Sequence, residues 1–557
     1  MLRHGCAALL LMAAPIMISA AASAAAPTAN SRPEPLPSAA PIQQSLDRPY
    51  PGTIRLSIDA TDTGRGILEV KQQIPVAAPG PMTLLFPKWL PGHHSPSGPV
   101  DRLAGLRFTA NGETLGWQRD PVEVHAYHVD VPEGATSIEA AFQILTPTAA
   151  DQGGLLMTED ILRIQFISAS LYPAGYFTRQ IPVEATVRYP EGWTAFSALK
   201  SSTVGPDTVY EKTDYETLAD SPTMAGRHAR QWQLAPGIFL DAVAADPDEL
   251  VASKAQVEAH EQLATQALKL FGARHFDEYH LLLSISPRMI RIGLEHQRSS
   301  ENGVLPGYFT NWDSTPQARN LLPHEFTHSW NGKYRRGADL WTPDFHTPMR
   351  DSLLWVYEGQ TQFWGYVLQA RSGLVSKEDT LDQLAMIAAR YATEPARQWR
   401  PLIDTTNDPI LSERRPKGWV SWQRSEDYYN EGLLVWLEVD PILRRESAEK
   451  RSIDVFARRF FGINDGDWGT LTYRYEDVVA TLNEIQPYDW DGLLRARLDG
   501  IGQPPPLEGL AGNGYRLVYT DTPTSAFKNA MTARQAEDFS YSLGLTVANS
   551  GNILGVI

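Results

Sequence analysis

His324-Glu325-Phe326-Thr327-His328, with Leu354-Trp355-Val356-Tyr357-Glu358-Gly359 downstream, is the stretch around which the rest of this chain is organised. On a helix with 3.6 residues per turn, side chains four apart point the same way. The imidazoles of His324 and His328 can therefore grip one ion, while Glu325 lies beside that ion rather than on it. Two His ligands, a later carboxylate and a base-bearing Glu form the pattern of a catalytic Zn²⁺ site. This makes His324, His328 and Glu358 the candidate ligands and Glu325 the candidate base. Leu321, Leu322, Phe326 and Trp330 give the helix an apolar back, which a buried ligand helix needs and a solvated surface helix does not. Glu358 opens a second helical pattern, with Trp355, Phe363, Trp364, Val367 and Leu368 on one face. His260-Glu261-Gln262-Leu263-Ala264 begins like the first motif but lacks its second histidine, and reads as an exposed helix segment.

Outward from these motifs the texture changes twice. Between about Asp241 and Leu498 helical periodicity dominates, with predicted helices over Val251 to Phe271, Leu433 to Arg445 and Tyr475 to Ile485, and a strand over His280 to Ile285. From about Tyr50 to Pro236 short alternating runs lie between Pro and Gly turns, as in a sandwich-like β domain. Ile54 to Ile58, Val122 to Tyr127 and Leu162 to Phe166 are its strand candidates. Within it, Trp89-Leu90-Pro91-Gly92-His93-His94 carries adjacent histidines, which on a strand would face opposite ways. A structural or rim loop therefore suits them better than a ligand pair. After about Pro504 turn-separated strands return, over Tyr515 to Tyr519 and Tyr541 to Val547.

Met1 to Ala24 has the form of a secretory signal, with Arg3, an apolar run from Ala7 to Ile18 and small residues at Ala22-Ser23-Ala24. That run is too short for a retained membrane span, so no membrane anchor is expected after cleavage. Residues 25–48, rich in Pro, Ala and Ser, read as a flexible lead-in. The one cysteine, Cys6, falls inside the signal. Disulfides and thiolate ligands are thereby excluded from the mature chain, leaving His and carboxylates to bind metal. Export without cysteine suits a bacterial periplasm. A hydrophobic content of 43% and 15 tryptophans describe a globular chain. The net charge of −16 argues against a nucleic-acid partner. Oligomeric state is not legible.

Four segments carry a family resemblance: His324-Glu325-Phe326-Thr327-His328-Ser329-Trp330-Asn331, Leu354 to Gly359, Gly293-Leu294-Glu295-His296, and Asp427-Tyr428-Tyr429-Asn430-Glu431-Gly432. Together they resemble the glycyl-aminopeptidase-like zinc peptidases of the gluzincin clan. In the last segment Glu431 stands where the family tends to have Lys. The resemblance implies one Zn²⁺ per chain on His324, His328 and Glu358, with an open fourth position. It implies Tyr429 as oxyanion donor, with Tyr428 as the fallback and ordinary aromatic packing as the competing role for both. It also implies Glu295 as the carboxylate that receives the substrate's α-ammonium; the competing role there is a surface carboxylate on a strand edge. The implied fold class is α+β and multidomain. An N-terminal β-sandwich-like domain (49–240) precedes a thermolysin-like, mainly helical catalytic domain (241–503). A partial PDZ-like segment (504–557) follows, with Ser542-Leu543-Gly544-Leu545 as its carboxylate loop and the sequence stopping before the groove helix. The implied activity is an exported zinc aminopeptidase acting on peptides with free N-termini, with a preference for small first residues. A zinc endopeptidase and a PDZ-type peptide-binding protein that has lost catalysis are the alternatives.

Overall fold

Ile54–Asp62 alternates strictly, with Ile54, Leu56, Ile58 and Ala60 buried and Arg55, Ser57 and Asp62 outward or half-covered. That period of two makes it the centre of a large sheet. It pairs antiparallel with Ile67–Pro75 (Ile58 opposite Val70) and parallel with Pro182–Arg188 (Ile58 opposite Val187). Ser137–Leu145 and Leu103–Ala110 extend the sheet. Two smaller sheets share its core, one around Gly80–Leu85 and Ala126–Val131, the other joining Thr194–Ser197, Thr223–Gly226 and Ile161–Ile164. In this computed structural model the described residues are 30–37 and 39–556, and the signal segment and Cys6 lie outside them. Ile42–Ile557 forms one unit that contains every element discussed below, and Met1–Pro41 the other.

The helical part starts from a second sheet. Ile238–Ala244, Tyr279–Ile285 and Ser299–Val304 run parallel, with His228–Ala235 and Gly293–Glu295 as antiparallel edges. Tyr279–Ile285 is buried at every position, as a strand covered on both faces must be. Between the first two parallel strands runs helix Lys254–Phe271, opened by a Ser253/Gln256 capping box and closed by Gly272 at φ +76°. Helices Gly359–Ser372, Asn430–Glu446, Ile453–Phe460, Tyr475–Ile485 and Trp490–Leu498 pack on this base. Trp330, Trp355, Trp364 and Trp436 fill the core between them, fully buried. The chain is thus an α+β multidomain protein with a β-rich N-terminal part and a helical part after it.

Several local expectations need correction. Of the Val122 to Tyr127 run only Ala126 and Tyr127 are in a strand, Ala126–Val131; Val122 to His125 is a turn, because the Asp120 side chain accepts from the Val122 and Glu123 amides and bends the chain. Tyr515 to Tyr519 is exposed and forms no strand. Only Leu545–Ala548 of the Tyr541 to Val547 run is a strand, since a turn ending at Gly544 (φ +71°) precedes it. His260 is fully buried rather than exposed: its ring nitrogens meet Gln256 O at 2.6 Å and Tyr308 Oη at 2.9 Å. The division expected at residue 240 falls inside strand Ile238–Ala244, whose neighbour Tyr279–Ile285 belongs to the helical part.

Candidate active site

Helix Leu321–Thr327 is held from behind. Leu322 and Phe326 are fully buried, and Trp330, just past its end, stacks on Phe271 at 4.5 Å. With that face locked, His324 and His328, the latter at the C-terminal cap, turn to the opposite side. Their Nε2 atoms lie 3.1 Å apart. Oε2 of Glu358, immediately before helix Gly359–Ser372, lies 3.3 Å from one and 3.2 Å from the other. The His328 Nδ1–H donates to Asn331 O at 2.9 Å, leaving the Nε2 lone pair for a metal. The Asn331 amide in turn donates to Val356 O (2.8 Å) and Thr361 Oγ1 (3.0 Å), tying the first motif to the second.

These donors fit a divalent cation. Two imidazole nitrogens and a carboxylate oxygen converge within 4.8 Å of one another, all from buried residues, and Glu358 Oε2 has no hydrogen-bond donor of its own. Burial opposes a charge on His328, but the carboxylates of Glu358 and Glu295 outweigh it and raise its pKa to about 9. The pocket thus favours positive charge where the ligands meet.

Glu325 is buried beside them, and one of its carboxylate oxygens has no partner. Burial, reinforced by the charges of Glu295 and Glu358, lifts its pKa well above the carboxylate range although His328 opposes. Such a shift suits a group that must both take and return a proton. Gly293, in the edge strand, lies directly over this carboxylate: a Cβ there would stand 2.0 Å from Glu325 Oε1.

Glu295 is not a surface carboxylate, being only 3% exposed. The Tyr357 hydroxyl donates to its Oε1. One of its oxygens, one of Glu325 and a nitrogen of His328 lie within 4.8 Å of one another. Despite burial, the charges of His328, His94 and Lys333 hold its pKa below the ordinary carboxylate value, so it stays ionised and can pair with a cation.

The two tyrosines separate. Tyr429 stacks on His324, ring centres 6.0 Å apart, and accepts from Arg414 Nη2 at 3.2 Å. Tyr428 is fully buried, with its hydroxyl 3.2 Å from Glu426 Oε1. Burial and the Glu358 charge push the Tyr429 pKa far up, which keeps its proton in place as a donor. Glu431, by contrast, is enclosed by Arg397 and Arg424 in a buried ion cluster. The chain therefore has an acidic residue paired with two arginines at the position where a Lys was expected.

Sequence reasoning missed three contributors. Tyr357 lay unremarked within the quoted Leu354 to Gly359 run. Arg414 sits in a loop with left-handed backbone at both Glu413 (φ 49°) and Arg414 (φ 58°), and no local pattern marks it. His94 does lie on a loop, as expected, but not at a rim: its Nε2 is 2.8 Å from Glu358 Oε1, and its side chain is 1% exposed. On the other side of that loop a cavity of about 630 Å³ is lined by His93, Leu294, His296 and Lys333; none of the candidate ligands reaches it.

The family models of two successive domains match this chain. The M61 N-terminal domain matches residues 55–227 and the M61 glycyl aminopeptidase domain residues 317–435. Together they take in just over half of the chain. No curated protein sequence matches it. Among solved structures, an aminopeptidase N family protein from Idiomarina loihiensis superposes with a TM-score of 0.68 at 18% identity, covering 82% of this chain and 78% of its own. Native yeast LTA4 hydrolase gives a TM-score of 0.49 at 13% identity, over 81% and 68%. With both successive domains matched in order, and the fold shared with an aminopeptidase N relative, this chain belongs to the M61 glycyl aminopeptidase family of metallopeptidases.

Proposed function

We propose that the chain is an exported zinc aminopeptidase that removes small residues, glycine or alanine, from free N-termini. The observation that carries the exopeptidase reading is the buried Glu295 carboxylate, held by Tyr357 beside the ligand cluster. A charged carboxylate there pairs with an α-ammonium and fixes the distance from the amine to the first peptide bond. The preference for small residues rests on the family, and export rests on the Met1 to Ala24 sequence.

In this reading His324, His328 and Glu358 hold Zn²⁺, which when bound acts as a Lewis acid and brings a bound water's pKa to about 7. Glu295 anchors the substrate amine. Glu325 accepts the proton of the attacking water and later gives it to the leaving amine. Tyr429 donates its hydroxyl hydrogen to the oxygen that becomes charged at the scissile carbonyl. The three-stranded sheet Ala536–Phe539, Leu545–Ala548 and Ile553–Val556 is the PDZ-like element of the same reading, with Ser542-Leu543-Gly544-Leu545 as its carboxylate loop.

The test is hydrolysis of glycyl- and alanyl-anilides against their N-acetylated forms, with and without chelator. Free amines alone should be cleaved, and Glu325→Gln should lower kcat about 100- to 10,000-fold. Cleavage of the acetylated substrates would instead make the protein an endopeptidase, and zinc-loaded but inactive protein would make it a peptide-binding module.

A further inference from the structure

Glu358 offers two oxygens, and the two face different groups. Oε2 looks at His324 and His328, whereas Oε1 accepts a hydrogen bond from His94 Nε2 at 2.8 Å. His94 comes from the β-rich part of the chain, more than 250 residues away in sequence. The loop that carries it is a built feature. Leu90 and Ser95 bridge its ends, the Lys88 and Trp89 amides both donate to Phe345 O (3.0 and 2.9 Å), and the His94 ring stands edge-on to Tyr357 at 5.0 Å. Gly92, at φ +79°, passes so close to Glu295 that a Cβ would lie 2.9 Å from its Oε2. The following His94 takes the left-handed conformation itself (φ 55°), and its neighbour His93 is held separately, its Nδ1 3.1 Å from Ser97 Oγ.

From this geometry we propose that His94 is a positioning residue for the Glu358 metal ligand, supplied by the β-rich part to complete a site whose ligands all come from the helical part. The inference rests on the zinc reading above. A carboxylate ligand can rotate between its two oxygens or bind through both. A donor fixed on one oxygen leaves the other aimed at the metal, and such outer partners typically contribute 10- to 100-fold in metal affinity. In this proposal His94 acts as a partner of the ligand rather than as a fourth ligand. Among the described residues it converges with Glu295 and Glu358, but the group that joins His324 and His328 to Glu358 does not include it. It acts on the far oxygen of the carboxylate.

The experiment measures the zinc dissociation constant of the full-length protein by competition with a chromophoric chelator, together with the thermal midpoint of the chelated protein. His94→Phe keeps a ring of similar size against Tyr357 but has no donor; His94→Gln keeps a donor on a flexible stem. Zinc affinity should fall 10- to 100-fold in His94→Phe and return to within about fivefold of wild type in His94→Gln, with the chelated midpoints close to that of wild type. His94→Phe binding zinc within twofold of wild type would overturn the proposal. So would His94→Gln binding as weakly as His94→Phe, because packing alone would then explain the loss. His324→Ala separates this from failure of the zinc site: if removing a ligand leaves zinc affinity unchanged, both readings fall, whereas loss in His324→Ala with none in His94→Phe sinks only this one.

Discussion

Gly293→Ala is the perturbation that tests how tightly Glu325, the proposed base, is held. Gly293 sits in the edge strand Gly293–Glu295, opposite Asn302. A Cβ built on it lies 2.0 Å from Glu325 Oε1, 2.7 Å from Glu325 Cδ and 2.7 Å from Leu321 Cδ1. Ordinary contact begins near 3.4 Å, so the carboxylate must shift by more than about 1 Å. The helix behind it cannot yield, because Leu322 and Phe326 are locked in the core; the Glu325 side chain must rotate away instead. Misplacing a catalytic group by about 1 Å costs on the order of 100-fold in rate, and overpacking of this kind destabilises by about 1–3 kcal/mol. We therefore expect kcat on alanyl-anilide to fall about 100-fold while zinc content stays at the wild-type level, since the nearest atoms the new methyl meets belong to Glu325 and Leu321 and not to the proposed ligands. Steady-state kinetics, metal analysis and a thermal melt on the same sample decide it. Activity within threefold of wild type would refute the reasoning, and an equal loss of zinc would show that a ligand rather than the base had moved.

Tyr429→Phe should lower kcat about 100- to 1,000-fold with KM little changed; a loss below fivefold would take Tyr429 out of the oxyanion role and return Tyr428 to it. Glu431→Lys should destabilise the fold by about 3–5 kcal/mol, because it leaves Arg397 and Arg424 buried against a third cation; a urea midpoint equal to wild type would contradict the ion-cluster account. Folding stability should also decline on the alkaline side through His296. Burial opposes its charge, but hydrogen bonds to Asp220 and Glu301 raise its pKa to about 9. A raised folded-state pKa means the contribution, at most about 3 kcal/mol, is complete below the unfolded value near 6.5 and is lost as pH climbs through 9. Urea midpoints at pH 6.5 and 9.5 for wild type and His296→Gln check this, and identical pH slopes in the two proteins would disprove it.

What could be read from the sequence was what is local. The i, i+4 pair His324/His328 and the apolar back of its helix are written within ten residues, Leu321 to Trp330, and the two-residue period of Ile54–Asp62 is written within its own strand. Glu295 and Tyr429 were visible only through family likeness, because nothing within their own segments encodes proximity to a metal. His94 was hidden for a specific reason. Alternation along a strand puts neighbouring histidines on opposite faces, but it says nothing once Gly92 and His94 take left-handed backbone and fold the loop back. His260 was misread for a related one: its cover, Tyr308, Phe309 and Trp312, arrives about fifty residues later in the chain. The role of Glu431 depends on Arg397, thirty-four residues away.

Charge explains why these distant pieces must meet where they do. Glu295, Glu325 and Glu358 are three carboxylates buried in one small volume, and carboxylates brought this close cannot all ionise cheaply. Only part of that charge is answered from within the chain. Glu358 is held well below the ordinary range against its burial, chiefly by the charge of His328, with His324 beside it and the hydrogen bond from His94 adding to this. Glu295 stays ionised in the fields of His328, His94 and Lys333, while Glu325 takes the remaining strain as a raised pKa. A divalent cation at the His324/His328/Glu358 convergence and an α-ammonium at Glu295 would bring positive charge to the two places where the carboxylates remain ionised. Because the Glu295 and Glu358 charges help to raise Glu325, cations at those two places would leave burial as the main cause of its upward shift. The same surroundings thus give three identical functional groups different proton affinities, which is what the proposed division into ligand, amine anchor and base requires.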